Sequence, residues 1–134
     1  MVNLIDSSLW VDLVRPKTPE PLKRQVQQII LDPSVALCEP VRFELLFAAL
    51  SSETKRLEEF LATVPLLQTP PGLWPEASRL GQRCVSAGFV PRAMDLLIAQ
   101  IALHHHALLV TFDKHFQQIA KVSSLQVNLL TRAG

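Results

Sequence analysis

The chain has 134 residues, of which 49% are hydrophobic, and a formal net charge of +1. This length and apolar content predict one domain over residues 1–134 with a substantial core, and the near-neutral balance lacks the broad basic footprint of proteins that bind nucleic acid through bulk charge. No apolar run approaches the roughly 18 residues of a membrane span, and the opening MVNLIDSS lacks the basic-then-apolar order of a signal peptide, so a soluble cytoplasmic protein without membrane contact is expected.

In chain order, residues 2–5 read as a short buried strand ending at Asp6, with Ser7 placed to cap a helix that runs through Val14. Pro16, Pro19 and Pro21 mark a loop before a second helix over about 22–31, where Leu22, Val26, Ile29 and Ile30 follow a helical period. Val35 to Cys38, bounded by Asp32-Pro33 and Glu39-Pro40, reads as the second strand. A third helix over about 41–50 surrounds Glu44 with Leu45, Leu46, Ala48, Ala49 and Leu50. Ser52 and Glu53 begin a fourth, with Leu57, Phe60, Leu61 and Val64 on one face, followed by a brief extended run over 66–68.

Pro70, Pro71, Gly72 and Pro75 punctuate a loop, after which 76–87 form a helix closed by Gly88. The next stretch, MDLLIAQIALHHHALLVTFDKHF, opens with a helix that is apolar on nearly every face yet carries Asp95 in its first turn. It continues through a strand over 107–110 to Thr111 and Asp113, a helix over about 114–122 follows, and 126–130 read as a final strand. Cys38 and Cys84 match no metal-ligand spacing and are expected to be buried free thiols. Strands alternating with helices predict a three-layer α/β/α sandwich with a mainly parallel central sheet and no internal repeat.

In such a fold ligands collect outside the carboxyl ends of the strands, where Asp6 and Asp113 lie, and Glu44 and Asp95 sit near the starts of helices leaving that edge. Four of the twelve acidic residues are thereby expected in one pocket. An ionised carboxylate among apolar neighbours costs several kcal/mol unless it is paired or on a metal. Arg92 and Lys114 are the nearest fixed cations in sequence. Several such groups stay ionised together only around a cation, and all-oxygen ligation selects Mg²⁺ or Mn²⁺. An ion held this way activates water for in-line attack on a phosphodiester. Glu39 follows a strand as well, but its neighbour Pro40 marks a turn position. His104, His105 and His106, being consecutive at a helix end, point in different directions and cannot converge on one ion.

The ordered set DSSLW at Asp6, FELL at Glu44, AMDLLIAQIAL at Asp95 and LLVTFDKHF at Asp113 resembles PIN domains, and especially the VapC-type toxins of prokaryotic toxin–antitoxin pairs. The resemblance spans essentially the whole chain. It implies an Mg²⁺- or Mn²⁺-dependent endoribonuclease with Asp6, Glu44, Asp95 and Asp113 as acidic ligands, and with Ser8 or Thr111 orienting ligands or water. It also implies a homodimer silenced by a cognate antitoxin protein, and the dimer is expected as well from the fourth helix, whose Leu57, Phe60, Leu61 and Val64 exceed what one short sheet needs. Many relatives carry Asp or Asn two residues after the last Asp, where this chain has His115. Arg92, Lys114 and His115 flank the acidic set and are candidates for RNA contact.

Three competing readings remain beside this one: an RNA-processing nuclease of the same fold outside any toxin–antitoxin pair, a weakly active PIN-like binding module, and a metal-free ribonuclease using histidines as acid and base. The last would resist chelators and leaves the buried acids unexplained. Phosphatase and receiver patterns fail, since the phosphatase needs a second Asp where Ser8 stands and the receiver needs an Asp where the third extended run ends in Gln68-Thr69-Pro70.

Overall fold

A computed structural model describes residues 1–134. In chain order the elements are β1 (Asn3–Ile5), α1 (Ser7–Val14), α2 (Glu20–Ile30), β2 (Val35–Ala36), α3 (Glu39–Ala48), α4 (Thr54–Leu61), α5 (Leu73–Ser86), α6 (Ala93–His104), β3 (Leu108–Thr111), α7 (His115–Ala120) and β4 (Gln126–Leu129). The strands form one sheet in the order β2-β1-β3-β4, and all its pairings are parallel. Parallel strands are joined by crossovers and covered on both faces, which is why their sequences are nearly continuous apolar runs. Leu4, Ile5 and Leu109, on the two central strands, are completely buried.

Helices flank the sheet to give the expected α/β/α architecture. The apolar residues form one cluster in which Trp10, Val26, Leu80, Ile98, Ile101 and Phe116 pack with the strands. Trp10 satisfies its indole N–H on the Ile5 carbonyl at 3.1 Å, tying α1 to the end of β1. Helix α6 is apolar all round because it lies inside the molecule: Ile98, Ala99, Ile101 and Ala102 are fully enclosed. Its closest neighbour is α5, and a Cβ built on Gly81 would come within 2.9 Å of Leu96 Cδ1, so a side chain at that position would crowd Leu96.

Several boundaries differ from those the sequence suggests, and most of the differences concern proline. Helices α2 and α3 begin at Glu20 and Glu39 with Pro21 and Pro40 in their first turns, and α5 begins at Leu73, ahead of Pro75. A proline in the first turn gives up no intrahelical hydrogen bond, so it starts a helix as readily as it ends one. Asp6, not Ser7, is the N-cap of α1. The extended run at 66–68 contributes a single bridge, Leu66 beside Leu37, closed by hydrogen bonds of 2.8 and 2.7 Å.

Two helices end in the same six-to-one turn. At the end of α5, Phe89 N–H donates to the Cys84 carbonyl and Gly88 adopts φ 89°. At the end of α6, Ala107 N–H donates to the Ala102 carbonyl and His106 adopts φ 54°. The left-handed residue is glycine in one turn and histidine in the other. Both cysteines are free and buried, as expected. No helix is long and apolar enough to cross a membrane.

Candidate active site

In the order β2-β1-β3-β4 the chain leaves β1 toward one edge of the sheet and reaches β3 on the other side, so the strand order reverses between β1 and β3. A crevice opens at such a switch point outside the carboxyl ends of the strands. Asp6 directly follows β1, and Thr111 ends β3 beside it. The backbones are locked together there by Asp6 N–H donating to the Val110 carbonyl at 3.0 Å.

Asp6 is buried and held by hydroxyls. Its Oδ2 accepts from Ser8 Oγ at 2.9 Å and from Thr111 Oγ1 at 2.8 Å, and its Oδ1 accepts from Ser7 Oγ at 3.4 Å. Each of the two closer hydroxyls also accepts a backbone N–H: Ser8 Oγ that of Phe112 at 3.3 Å, Thr111 Oγ1 that of Asp113 at 2.9 Å. Ser8 and Thr111 thus orient the first acid and pin the loop that carries the last one. Ser7, expected only as a helix cap, is a third hydroxyl at Asp6. The signal for it was the Ser-Ser pair directly after a strand-end Asp.

Asp95 and Glu44 approach from the helices. Asp95 sits in the first turn of α6 and is buried. Its Oδ2 and Oδ1 accept from Arg92 Nε and Nη2 at 3.1 and 3.3 Å, and the same Nη2 reaches Asp113 Oδ2 at 3.4 Å. Burial pushes the Asp95 carboxyl above its usual range, Arg92 pulls the other way, and Asp6 and Asp113 add to the rise. Arg92 is itself held more firmly protonated, first by its hydrogen bond to Asp95.

Glu44, half-buried on α3, has a buried Oε1 with no hydrogen-bond partner. Its carboxyl is pushed up by burial and next by the neighbouring charge of Asp6, with Asp95 contributing further, while the Ser7 hydroxyl and Arg92 pull the other way. These mutual influences put all four predicted acids in one electrostatic neighbourhood. As the side chains stand, however, no three His, Cys, Asp or Glu residues converge closely enough to hold a metal ion.

The remaining candidates divide. His115 stands against Asp113, with Nδ1 2.8 Å and the backbone N 2.9 Å from Oδ1, and its ring stacks on Phe89. Lys114 is exposed and pairs with no carboxylate. Glu39 is exposed at the start of α3. Of the three consecutive histidines, His105 Nε2 lies 2.7 Å from the Gln68 carbonyl, away from the acids. Cys38, the N-cap of α3, is fully enclosed; burial, and then the charges of Asp6 and Glu44, push its thiol up to about 12. The wall of the site on that side is therefore neutral.

A separate apolar groove of about 670 Å³ lies between α1, α3 and α4, lined among others by Val11, Val14, Leu45, Leu50, Leu57 and Phe60. None of the four acids lines it.

A family model for the PIN domain matches residues 4–122. Over 128 residues the chain is 31% identical to VapC ribonuclease Mb1587 of Mycobacterium bovis and to ribonuclease VapC11 of Mycobacterium tuberculosis, with 92% of this chain and 95% of each relative covered. Among solved structures it is similar to VapBC2 from Rickettsia felis bound to a promoter DNA fragment, with a TM-score of 0.77, 18% identity and coverage of 98% of this chain and 100% of that one. It is likewise similar to VapBC-1 from nontypeable Haemophilus influenzae, with a TM-score of 0.73, 23% identity and coverage of 96% and 98%. These two likenesses establish the fold.

Proposed function

The chain belongs to the PIN domain family, and from that premise we propose that it is a metal-dependent endoribonuclease, the toxin of a toxin–antitoxin pair, working through Asp6, Glu44, Asp95 and Asp113. The observation that carries this proposal is the buried, unpartnered Oε1 of Glu44 beside Asp6 and Asp95 at the switch point of the sheet. Buried polar atoms are almost always paired, and although the Ser7 hydroxyl lowers the pKa of the Glu44 carboxyl, this oxygen is left without a partner. An all-oxygen donor set of this kind suits Mg²⁺ or Mn²⁺. The four acids would hold the ion, after the side-chain rotations that bring them to it. Bound there, it would polarise a phosphate oxygen and lower the pKa of a water molecule.

The protein's own residues do the rest. Ser8 and Thr111 fix the Asp6 carboxylate by donating to Oδ2, which leaves its other oxygen with only the long contact from Ser7. The Thr111 hydroxyl, donating to Asp6 and accepting from Asp113 N–H, sets the spacing of those two acids. Arg92 and Lys114 stand at the rim, where cations contact the phosphates of structured RNA and position the chain without reading its sequence, and the His115 ring beside Asp113 is a further contact for the RNA.

The VapBC neighbours support a protein antitoxin as the natural partner, and the apolar groove between α1, α3 and α4 is the surface we assign to it. A homodimer belongs to the same proposal, on grounds that differ from the face of α4: Leu61 lies in the core and Leu57 packs against it, whereas Phe43 and Phe47 on α3 are stacked on each other and 56% and 81% exposed. Light scattering at tens of micromolar, the range of ordinary weak dimers, should give twice the monomer mass. A cytoplasmic location accords with this function.

The test is cleavage of RNA by the purified chain in Mg²⁺ or Mn²⁺. Asp6→Asn is expected to lower the rate about 100-fold or more while preserving the fold, because an amide donates where a ligand must accept. Excess EDTA should abolish cleavage by the wild type. Full activity of Asp6→Asn would overturn the assignment.

A further inference from the structure

A carboxylate with only 5% of its side chain exposed needs a positive partner whether or not a metal ion is present. For Asp95 that partner is Arg92, which grips both of its oxygens and reaches over to Asp113 with the same Nη2. The guanidinium thus spans two of the four acids, and in this arrangement no three acids converge on one point. We infer that Arg92 is a resident counter-cation of the acidic crevice, which a divalent ion must displace from Asp95 and Asp113 before those acids can ligate it. Arg92 thereby sets how much metal the protein needs.

This rests on the proposal that the acids form a metal centre, and the geometry supports displacement in three ways. Arg92 is 71% exposed and is the N-cap of α6, so its side chain swings into solvent without moving the helix. Ion pairs with so exposed a partner contribute little to stability, so their loss is tolerated once another cation takes over. A guanidinium is permanently protonated, so it cannot leave by losing its charge and has to move away. Its fork also matches the planar carboxylate of Asp95, an arrangement that the point charge of a lysine would not reproduce. Lys114, the next cation in sequence, contacts none of the acids and has no part in this exchange.

The partition of free and bound Mn²⁺ can be read directly from the electron paramagnetic resonance signal of the free ion, without reference to catalysis. At constant neutral pH, Arg92→Gln is expected to bind Mn²⁺ about two- to fivefold more tightly than wild type, the upper range of an exposed ion pair converted to a ratio of Kd values. Arg92→Lys, which keeps the charge and loses the fork, should shift in the same direction and serves if Arg92→Gln does not fold. In EDTA, Arg92→Gln should melt below wild type, because Asp95 is left unpaired, and saturating Mn²⁺ should remove that difference. Equal or weaker Mn²⁺ binding by both variants, with the wild type binding, would overturn the displacement and leave the metal centre standing. Absence of Mn²⁺ binding by the wild type, and hence no difference from Asp6→Asn, would overturn the metal centre and the displacement with it.

Discussion

Glu44 concentrates the electrostatic tension of the site, because it is the one acid with a buried oxygen that nothing satisfies. Its folded-state pKa lies above the ordinary 4.5, so the fold prefers the neutral form. Its contribution to stability is therefore fully present below pH 4.5 and is lost as pH rises through the raised value. Glu44→Gln removes that loss. In EDTA at neutral pH the variant should be about 0.5 to 1 kcal/mol more stable than wild type by urea unfolding, a half-buried group being partly screened by water. The gain should vanish in acid. A variant less stable than wild type at neutral pH would show that the carboxylate has a stabilising partner. Asp95→Asn should gain less, because it forfeits the Arg92 fork. Glu44 and Asp95 stood out in the sequence because an acid in an apolar helix is costly and therefore conspicuous, and Asp6 and Asp113 because each comes at the end of a strand. The bridge from Arg92 to Asp113 did not, since it joins residues 21 apart and depends on how α6 meets the end of β3.

Among the elements, the turn that closes α6 stores a small strain that its counterpart on α5 avoids. His106 takes a left-handed conformation that costs a residue with a Cβ about 1 to 2 kcal/mol, part of which glycine forfeits through its freer unfolded chain. His106→Gly should therefore raise unfolding stability by roughly 0.5 to 1 kcal/mol, and Gly88→Ala should lower it by a similar amount, both measured by urea denaturation. A loss of stability in His106→Gly would mean that the His106 ring makes a contact worth more than the strain. Gly88 was legible as a helix stop because glycine advertises the conformation; His106 was not, because three histidines in a row suggest only a polar end. Strands were legible for a related reason: parallel strands enclosed on both faces leave unbroken apolar runs, as in Leu108–Thr111. Prolines misled, since Pro21, Pro40 and Pro75 carry the same local signature in a loop as in the first turn of a helix, and only the packing of that turn separates the two.

At the scale of the whole molecule, a parallel sheet with its reversal between β1 and β3 brings acids from four separate stretches of chain into one electrostatic neighbourhood. That neighbourhood was legible in outline from the order of strands and helices. The groove between α1, α3 and α4 was not, because its apolar lining, such as Val14, Leu45 and Leu57, comes from three separate helices that only the packing brings together. Metal should bind to the folded chain alone, so Mn²⁺ should raise the melting temperature of the wild type in proportion to the logarithm of its concentration, and of Asp6→Asn far less. The chemistry of the cut ends bears most directly on the central claim. With Mg²⁺ or Mn²⁺ present, activated water should leave a 5′-phosphate and a 3′-hydroxyl on the RNA fragments, and Glu44→Gln should produce neither in appreciable amount. Fragments ending in a 2′,3′-cyclic phosphate, formed undiminished by Glu44→Gln and in excess EDTA, would contradict it and move the chemistry to the histidines.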